Sequence, residues 1–63
     1  MRLHVSPTAM PDGQSYHCYV YNDDRTTIKQ IMVRMEEAKQ MYPDKYLDKA
    51  VKEYAKAKFM ENQ

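Results

Sequence analysis

The residues best suited to covalent chemistry are one cysteine, Cys18, and two histidines, His4 and His17. A cysteine and a histidine can act as nucleophile and general base when both side chains share one face. His17 directly precedes Cys18, and neighbouring strand residues point to opposite faces, so His4 is the better placed base. The only glycine, Gly13, builds no glycine-rich turn that could form an oxyanion hole. We therefore predict that the chain is not an enzyme, that it has no catalytic residue and that Cys18 is structural.

A metal site would have to use the same two histidines and the cysteine, with Asp12 as a fourth ligand. Structural zinc sites usually show paired Cys or His ligands at short spacings, and the chain has no such pair. A single glycine also excludes the glycine-rich fingerprints of nucleotide-binding loops. We expect neither a metal nor a cofactor.

Four lysines recur at spacings of three and four and could form a ridge on one side of a helix that contacts phosphates. Asp48 and Glu53 lie among them, which is more typical of a solvated helix face. The formal charge of the whole chain is only +1, far from that of a dedicated nucleic-acid-binding protein. The candidate residues for nucleic-acid contact are Lys45, Lys49, Lys52 and Lys56.

Aromatic and basic residues near the N-terminus suit a protein interface better than chemistry. Tyrosine and arginine are enriched at interfaces, where they combine apolar area with a polar group. The six tyrosines and six methionines are many for 63 residues, although some must fill a small core. The predicted partner-binding residues are Tyr16, Tyr19, Tyr21 and His4, with Arg2 and Arg25 at the rim.

The element that must position these side chains is a β-hairpin over residues 2–22. Met10-Pro11-Asp12-Gly13 is a strong turn signal between two strand patterns, and Pro7 confines the first strand to a sheet edge. A glycine bulge would pair Met10 with Gln14, which turn chemistry favours and which places His4 on the Cys18 face. A two-residue loop would pair Met10 with Gly13 and separate aliphatic from aromatic residues. In this second register the residues on the outside of the hairpin would be Arg2, His4, Tyr19 and Tyr21.

Two amphipathic helices are predicted after the hairpin, over residues 26–42 and 44–61. In the first, apolar residues at spacings of three and four predict a buried stripe, which leaves Val33 off the stripe. Pro43 ends this helix, and a short connection makes the two helices antiparallel neighbours. The first stripe consists of Ile28, Ile31, Met32, Met35, Ala38 and Tyr42, and the second of Tyr46, Leu47, Ala50, Val51, Tyr54 and Ala57.

The predicted fold is a small α+β domain of ββαα order spanning residues 1–63, with the N-terminal hairpin packed on two antiparallel helices. The order strand–helix–helix from Tyr16 onward resembles that of the ribbon-helix-helix DNA-binding dimers. The connection Tyr42-Pro43-Asp44-Lys45 lacks glycine, and the strand is poor in residues that read the DNA groove. The chain is therefore assigned to no family.

One helix pair can cover only one face of a hairpin, so the other face should meet a partner. We expect a non-enzymatic protein-binding module, a small inhibitor or adaptor of the kind that phages and mobile elements encode. It would bind a host or cognate protein through its aromatic face and edge strand, and a homodimer would cover the same face. The alternative is a dimeric nucleic-acid-binding regulator that uses the ribbon or the lysine ridge.

The expected location is the cytoplasm, without membrane contact. The N-terminus lacks the apolar segment of a signal peptide, and no apolar run reaches the ~18 residues that span a membrane. A lone cysteine cannot form an internal disulfide, which also favours a reducing compartment.

Overall fold

A three-stranded antiparallel sheet in the order β1–β2–β3 is followed by two helices. The computed structural model describes residues 2–61. The strands are β1 (Leu3–Ala9), β2 (Ser15–Asn22) and β3 (Ile28–Arg34), and the helices are α1 (Met35–Met41) and α2 (Leu47–Glu61). The predicted α+β class is confirmed, and the N-terminal hairpin packs against the helices as expected.

The hairpin turn is longer than either predicted loop. The Met10 N–H donates to the Ser15 carbonyl at 3.0 Å, so both predicted pairings of Met10 are wrong. The Asp12 carboxylate stabilises the longer turn, because it accepts the backbone N–H groups of Gln14 at 2.8 Å and Ser15 at 3.1 Å. Gly13 adopts a φ of 70°, which favours glycine. The observed register is shifted by two residues from the two-residue-loop alternative. A shift of two leaves every side chain on the same face, so that alternative correctly placed Leu3 and Val5 on the face of Cys18 and Val20.

The hydrogen bonds of Asp12 predict an acid-sensitive turn. The hydrogen bond that the Gln14 N–H donates to the Asp12 carboxylate holds the pKa of Asp12 below its usual value of 3.8, and the bonds from Ser15 lower it by a smaller amount. A folded-state pKa that is depressed contributes stability above the unfolded pKa, and the contribution is lost as pH falls through the folded value. We therefore expect Asp12→Asn to have a lower Tm than the parent protein above pH 3.8, with the difference shrinking at lower pH. Thermal melts followed by circular dichroism across this range measure it, and a pH-independent difference would contradict the assignment.

Residues 26–42 do not form the single helix that was predicted. Residues 28–34 form strand β3, paired antiparallel with β2 so that Val33 lies opposite Tyr16 and Ile31 opposite Cys18. Ile28, Ile31 and Val33 are β-branched residues that suit a pleated sheet. The backbone groups of β2 on this side need partners, and β3 supplies them, which local helical spacing cannot reveal. Only residues 35–41 are helical, with Glu36 and Glu37 in the first turn.

Strand β3 also removes the resemblance to the ribbon-helix-helix proteins. Their order requires a helix directly after the strand, whereas here a second turn and a third strand separate β2 from α1.

The core lies between the helices and one face of the sheet, called the inner face. Val33 is buried in it, although the helical pattern had left this residue off the stripe, and Phe59 of α2 is its largest fully buried side chain. Tyr46 was predicted to belong to the buried apolar stripe of the second helix. It is 80% exposed, because α2 begins only at Leu47. The fully buried set is Cys18, Val20, Val33, Ala38, Ala50, Val51, Ala55 and Phe59.

Candidate functional site

The sheet has an outer face that points away from the helices and carries most of the predicted binding residues. Its members alternate with the core residues along each strand, because strand side chains point to opposite faces in turn. The register aligns them in rows, with Tyr21 between His4 and Ile28, and Tyr19 between Ser6 and Gln30. The outer face consists of His4, Ser6 and Thr8, of His17, Tyr19 and Tyr21, and of Ile28, Gln30, Met32 and Arg34.

One end of the outer face is an ordered cluster around Tyr21. The His4 ring stacks on the Tyr21 ring with centroids 5.4 Å apart, and the His4 imidazole also pairs with the Asp23 carboxylate. The Arg25 guanidinium lies 5.5 Å from the Tyr21 ring centroid, within range of a cation–π contact. These contacts limit the side-chain freedom of Tyr21, so a partner would meet a largely preorganised aromatic group.

The centre of the outer face is a second cluster, around Tyr19. The Tyr19 ring meets the His17 ring edge to face at a centroid distance of 4.9 Å. The His17 imidazole lies 3.2 Å from the Gln30 amide oxygen, which ties β2 to β3 on this face. Tyr19 is 39% exposed, so its ring remains available for contact.

Strand β3 adds apolar area that the sequence patterns had assigned to the core. Ile28 is 55% exposed and Met32 is 54% exposed, and both lie on the outer face. Tyr19, Tyr21, Arg25 and Ile28, together with Ser6, line a shallow concavity of about 360 Å³. Exposed aliphatic, tyrosine and arginine side chains in one concavity are typical of a surface that meets another macromolecule.

Two of the predicted partner-binding residues lie away from this cluster. Tyr16 is on the inner face, partly buried against the core, so it lies on the opposite side of the sheet from Tyr19 and Tyr21. Arg2 is exposed and directly precedes β1, at the margin of the sheet. Tyr21, His4 and Arg25 form one cluster, and Tyr19 lies two residues along β2 on the same face.

The cysteine and the histidines do not assemble a nucleophilic site. Cys18 is fully buried on the inner face, and burial raises the pKa of its thiol. His4 and His17 are both on the outer face, so the sheet separates them from the sulfur. The expectation that His4 shares the Cys18 face is wrong, because it depended on the bulge register. Within residues 2–61, no three His, Cys, Asp or Glu side chains are grouped so that they could hold a metal ion.

The lysine ridge is only partly formed. Lys45 precedes α2, and its carbonyl accepts a hydrogen bond from the Lys39 ammonium at 2.6 Å, so it is not a member of that helix. Lys49 and Lys52 are exposed on α2. The Lys56 ammonium lies 4.0 Å from a carboxylate oxygen of Glu53. The cations therefore alternate with acidic residues, as in an ordinary solvated helix face.

Sequence reasoning missed the contribution of β3 to the outer face. Ile28, Gln30, Met32 and Arg34 are all exposed and occupy alternate positions. The alternation of these residues with Ile31 and Val33 has a period of two and indicates a strand. The same apolar residues also have a helical spacing, which indicates the opposite.

None of the helices in the described part of the chain is long and apolar enough to cross a membrane. Comparison with protein-family models, with curated proteins and with solved structures finds no match. The fold and the outer face define a small α+β domain with an uncovered, aromatic-rich sheet surface.

Proposed function

We propose that this chain is a non-enzymatic protein-binding module, a small inhibitor or adaptor, that binds a host or cognate protein through the outer face of its sheet. The observation that carries this proposal is the exposure of Tyr19, Ile28 and Met32 on a sheet face that neither helix covers. The inner face of the same sheet is closed by α2 and α1. The apolar area left over is therefore not needed for the core of a single copy.

The geometry supports protein rather than small-molecule binding. Small-molecule sites are usually enclosed clefts that bury most of the ligand, whereas the outer face is nearly flat, with one shallow concavity of about 360 Å³. Flat surfaces with a few aromatic anchors suit a protein partner, because hot spots are concentrated in Tyr, Trp and Arg. Tyr19 is the proposed central anchor, with Tyr21, His4 and Arg25 beside it. The module is proposed to act in the cytoplasm, since its only cysteine can form no internal disulfide.

Tyr19→Ala is expected to abolish partner binding without unfolding the protein. Loss of a central aromatic anchor costs about 2 kcal/mol or more, or roughly thirtyfold in affinity. Tyr46→Ala is the matched control, because Tyr46 is 80% exposed and lies just before α2 rather than on the sheet. The measurement is affinity purification from nuclease-treated cytosolic lysate with the parent and both variants, after circular dichroism has verified the fold.

A protein retained by the parent and by Tyr46→Ala, but lost with Tyr19→Ala, would establish the outer face as the binding surface. Equal retention by all three would remove the outer face from the proposal. Unfolding of Tyr19→Ala would show that this tyrosine is part of the core.

The second candidate is a dimeric nucleic-acid-binding regulator, favoured only by the exposure of Lys49 and Lys52 on α2. A parallel arm without nuclease tests it in the same purification. Nucleic acid recovered in that arm alone, and released steeply by salt, would move this candidate to first place.

A further inference from the structure

Within residues 2–61, the three-stranded sheet has two free edges, formed by β1 and β3, and they differ in the backbone groups that they offer. Two backbone hydrogen bonds flank β3, from Asn22 N–H to the Thr27 carbonyl at 3.3 Å and from Met35 N–H to the Gln14 carbonyl at 2.9 Å. In an antiparallel ladder, the bonded residues alternate with residues whose N–H and C=O point away. The residues of β3 that direct both groups toward the free edge are therefore Ile28, Gln30, Met32 and Arg34.

Strand β1 is protected against the addition of another strand. The bond from Met10 N–H to the Ser15 carbonyl sets the same alternation in β1, so its odd-numbered residues direct their backbone groups outward. Pro7 is one of these residues, and it has no N–H to donate. Proline on an edge strand is a common device against unwanted pairing. Strand β3 contains no proline, so β3 is the edge that remains open.

The open edge is cationic. From Arg25 to Met35 the chain contains Arg25, Lys29 and Arg34 and no carboxylate, and none of the three strands contains an Asp or Glu. The carboxylates of the adjacent turn already have partners, since Asp23 pairs with His4 and Asp24 accepts the Thr26 hydroxyl. Asp12 is close enough to Arg34 to have its own pKa lowered, but no carboxylate lies on the edge itself.

From these contacts we infer that the free edge of β3 is a strand-addition site for an acidic, extended segment of another protein. The backbone of Ile28, Gln30, Met32 and Arg34 pairs with the added strand, and its carboxylates lie near Arg25, Lys29 and Arg34. The inference rests on the proposed protein-binding function and specifies both the edge and the chemistry of the segment. A second copy is a poor occupant, because two β3 strands would bring together four cations, Lys29 and Arg34 of each strand, without a carboxylate. Nucleic acid cannot complete a backbone ladder.

Selection from a random displayed peptide library on the immobilised protein tests the chemistry of the segment. We expect enrichment of peptides that combine Asp or Glu with alternating β-branched residues. The most enriched peptide then serves as a fluorescent probe for anisotropy titrations at low and moderate salt. Enrichment of basic peptides, enrichment without charge preference, or no enrichment would each overturn the inference.

Two substitutions at the edge test its location. Gln30→Pro removes an outward N–H while leaving the hydrogen bonds of β3 to β2 intact, and it should weaken probe binding about tenfold. Gln30→Ala is the matched reference variant, because it loses the same side chain but keeps the N–H, so the weakening found only with Gln30→Pro measures the loss of the N–H. Arg34→Glu should weaken binding about fivefold at low salt, and this variant keeps the test decisive if Gln30→Pro does not fold.

The outcomes separate this inference from the proposed function. In one outcome, Tyr19→Ala abolishes binding while Gln30→Pro and Arg34→Glu leave it unchanged. That outcome would overturn the edge site and support the outer face. Weaker binding by Gln30→Pro than by Gln30→Ala, together with weaker binding by Arg34→Glu than by the parent, would support the edge site. A dimer in light scattering that Gln30→Pro dissociates would show that a second copy occupies the edge. Binding of an oligothymidylate instead of peptides would assign the cationic edge to nucleic acid, and either result would overturn the inference.

Discussion

Val33→Asp is expected to unfold the protein, whereas Met32→Asp is expected to leave it folded. Val33 is fully buried on the inner face, while Met32, its neighbour in β3, is 54% exposed on the outer face. The change at Val33 loses ~1.5–3 kcal/mol of apolar burial and adds ~2–7 kcal/mol for a buried polar group without a partner. A domain of this length has roughly 3–9 kcal/mol of total stability. The change at Met32 should cost about 1 kcal/mol, through strand propensity alone.

This pair of variants also decides between a strand and a helix over residues 28–34. The helical spacing places Met32 in the buried stripe and Val33 outside it, so a helix would give the opposite result. Thermal and urea unfolding followed by circular dichroism measures both variants against the parent. Unfolding of Met32→Asp with a stable Val33→Asp would refute the strand.

Phe59→Ala is expected to be the most damaging truncation in α2. Phe59 is 1% exposed and is the largest fully buried side chain, and the Lys29 ammonium lies 5.4 Å from its ring centroid. Truncation of a buried phenylalanine costs ~3–5 kcal/mol, a large part of the stability available to 63 residues. We expect a variant that is largely unfolded at room temperature or melts far below the parent.

Met60→Ala is the matched control for that truncation. Met60 is the next residue of α2 and is 56% exposed, so its loss should change the free energy of unfolding by less than about 1 kcal/mol. Urea denaturation of both variants measures the difference. Similar destabilisation by the two changes would show that α2 does not pack on the sheet through the Phe59 face.

Features that depend on local chemistry could be predicted from the sequence alone. The turn after Met10 follows from proline, aspartate and glycine in succession, and Pro7 restricts β1 to an edge, where it lies. Tyr42-Pro43 ends a helix because the residue before proline is disfavoured in the helical conformation. The stripe through Ala50 and Val51 then identified α2 over most of its length.

For the candidate site, local patterns identified the aromatic strand but not its faces. Tyr19 and Tyr21 were expected at a surface and lie on the outer face, whereas Tyr16 lies against the core. Strand alternation separates Tyr16 from Tyr19 whatever the register, but only the paired strands show which face the helices cover.

The hairpin register and the strand conformation of residues 28–34 depend on tertiary contacts that local patterns do not contain. The register depends on hydrogen bonds that the Asp12 carboxylate accepts from backbone N–H groups two and three residues later, and composition does not distinguish this turn from a tighter one. The apolar residues of 28–34 satisfy both a helical and a strand spacing, so local propensity leaves the choice open. The backbone N–H and C=O groups of β2 favour the strand. Burying these groups without hydrogen-bond partners would cost far more free energy than the difference between helix and strand propensity of residues 28–34. The third strand, the enlarged outer face and the open cationic edge all follow from that non-local pairing.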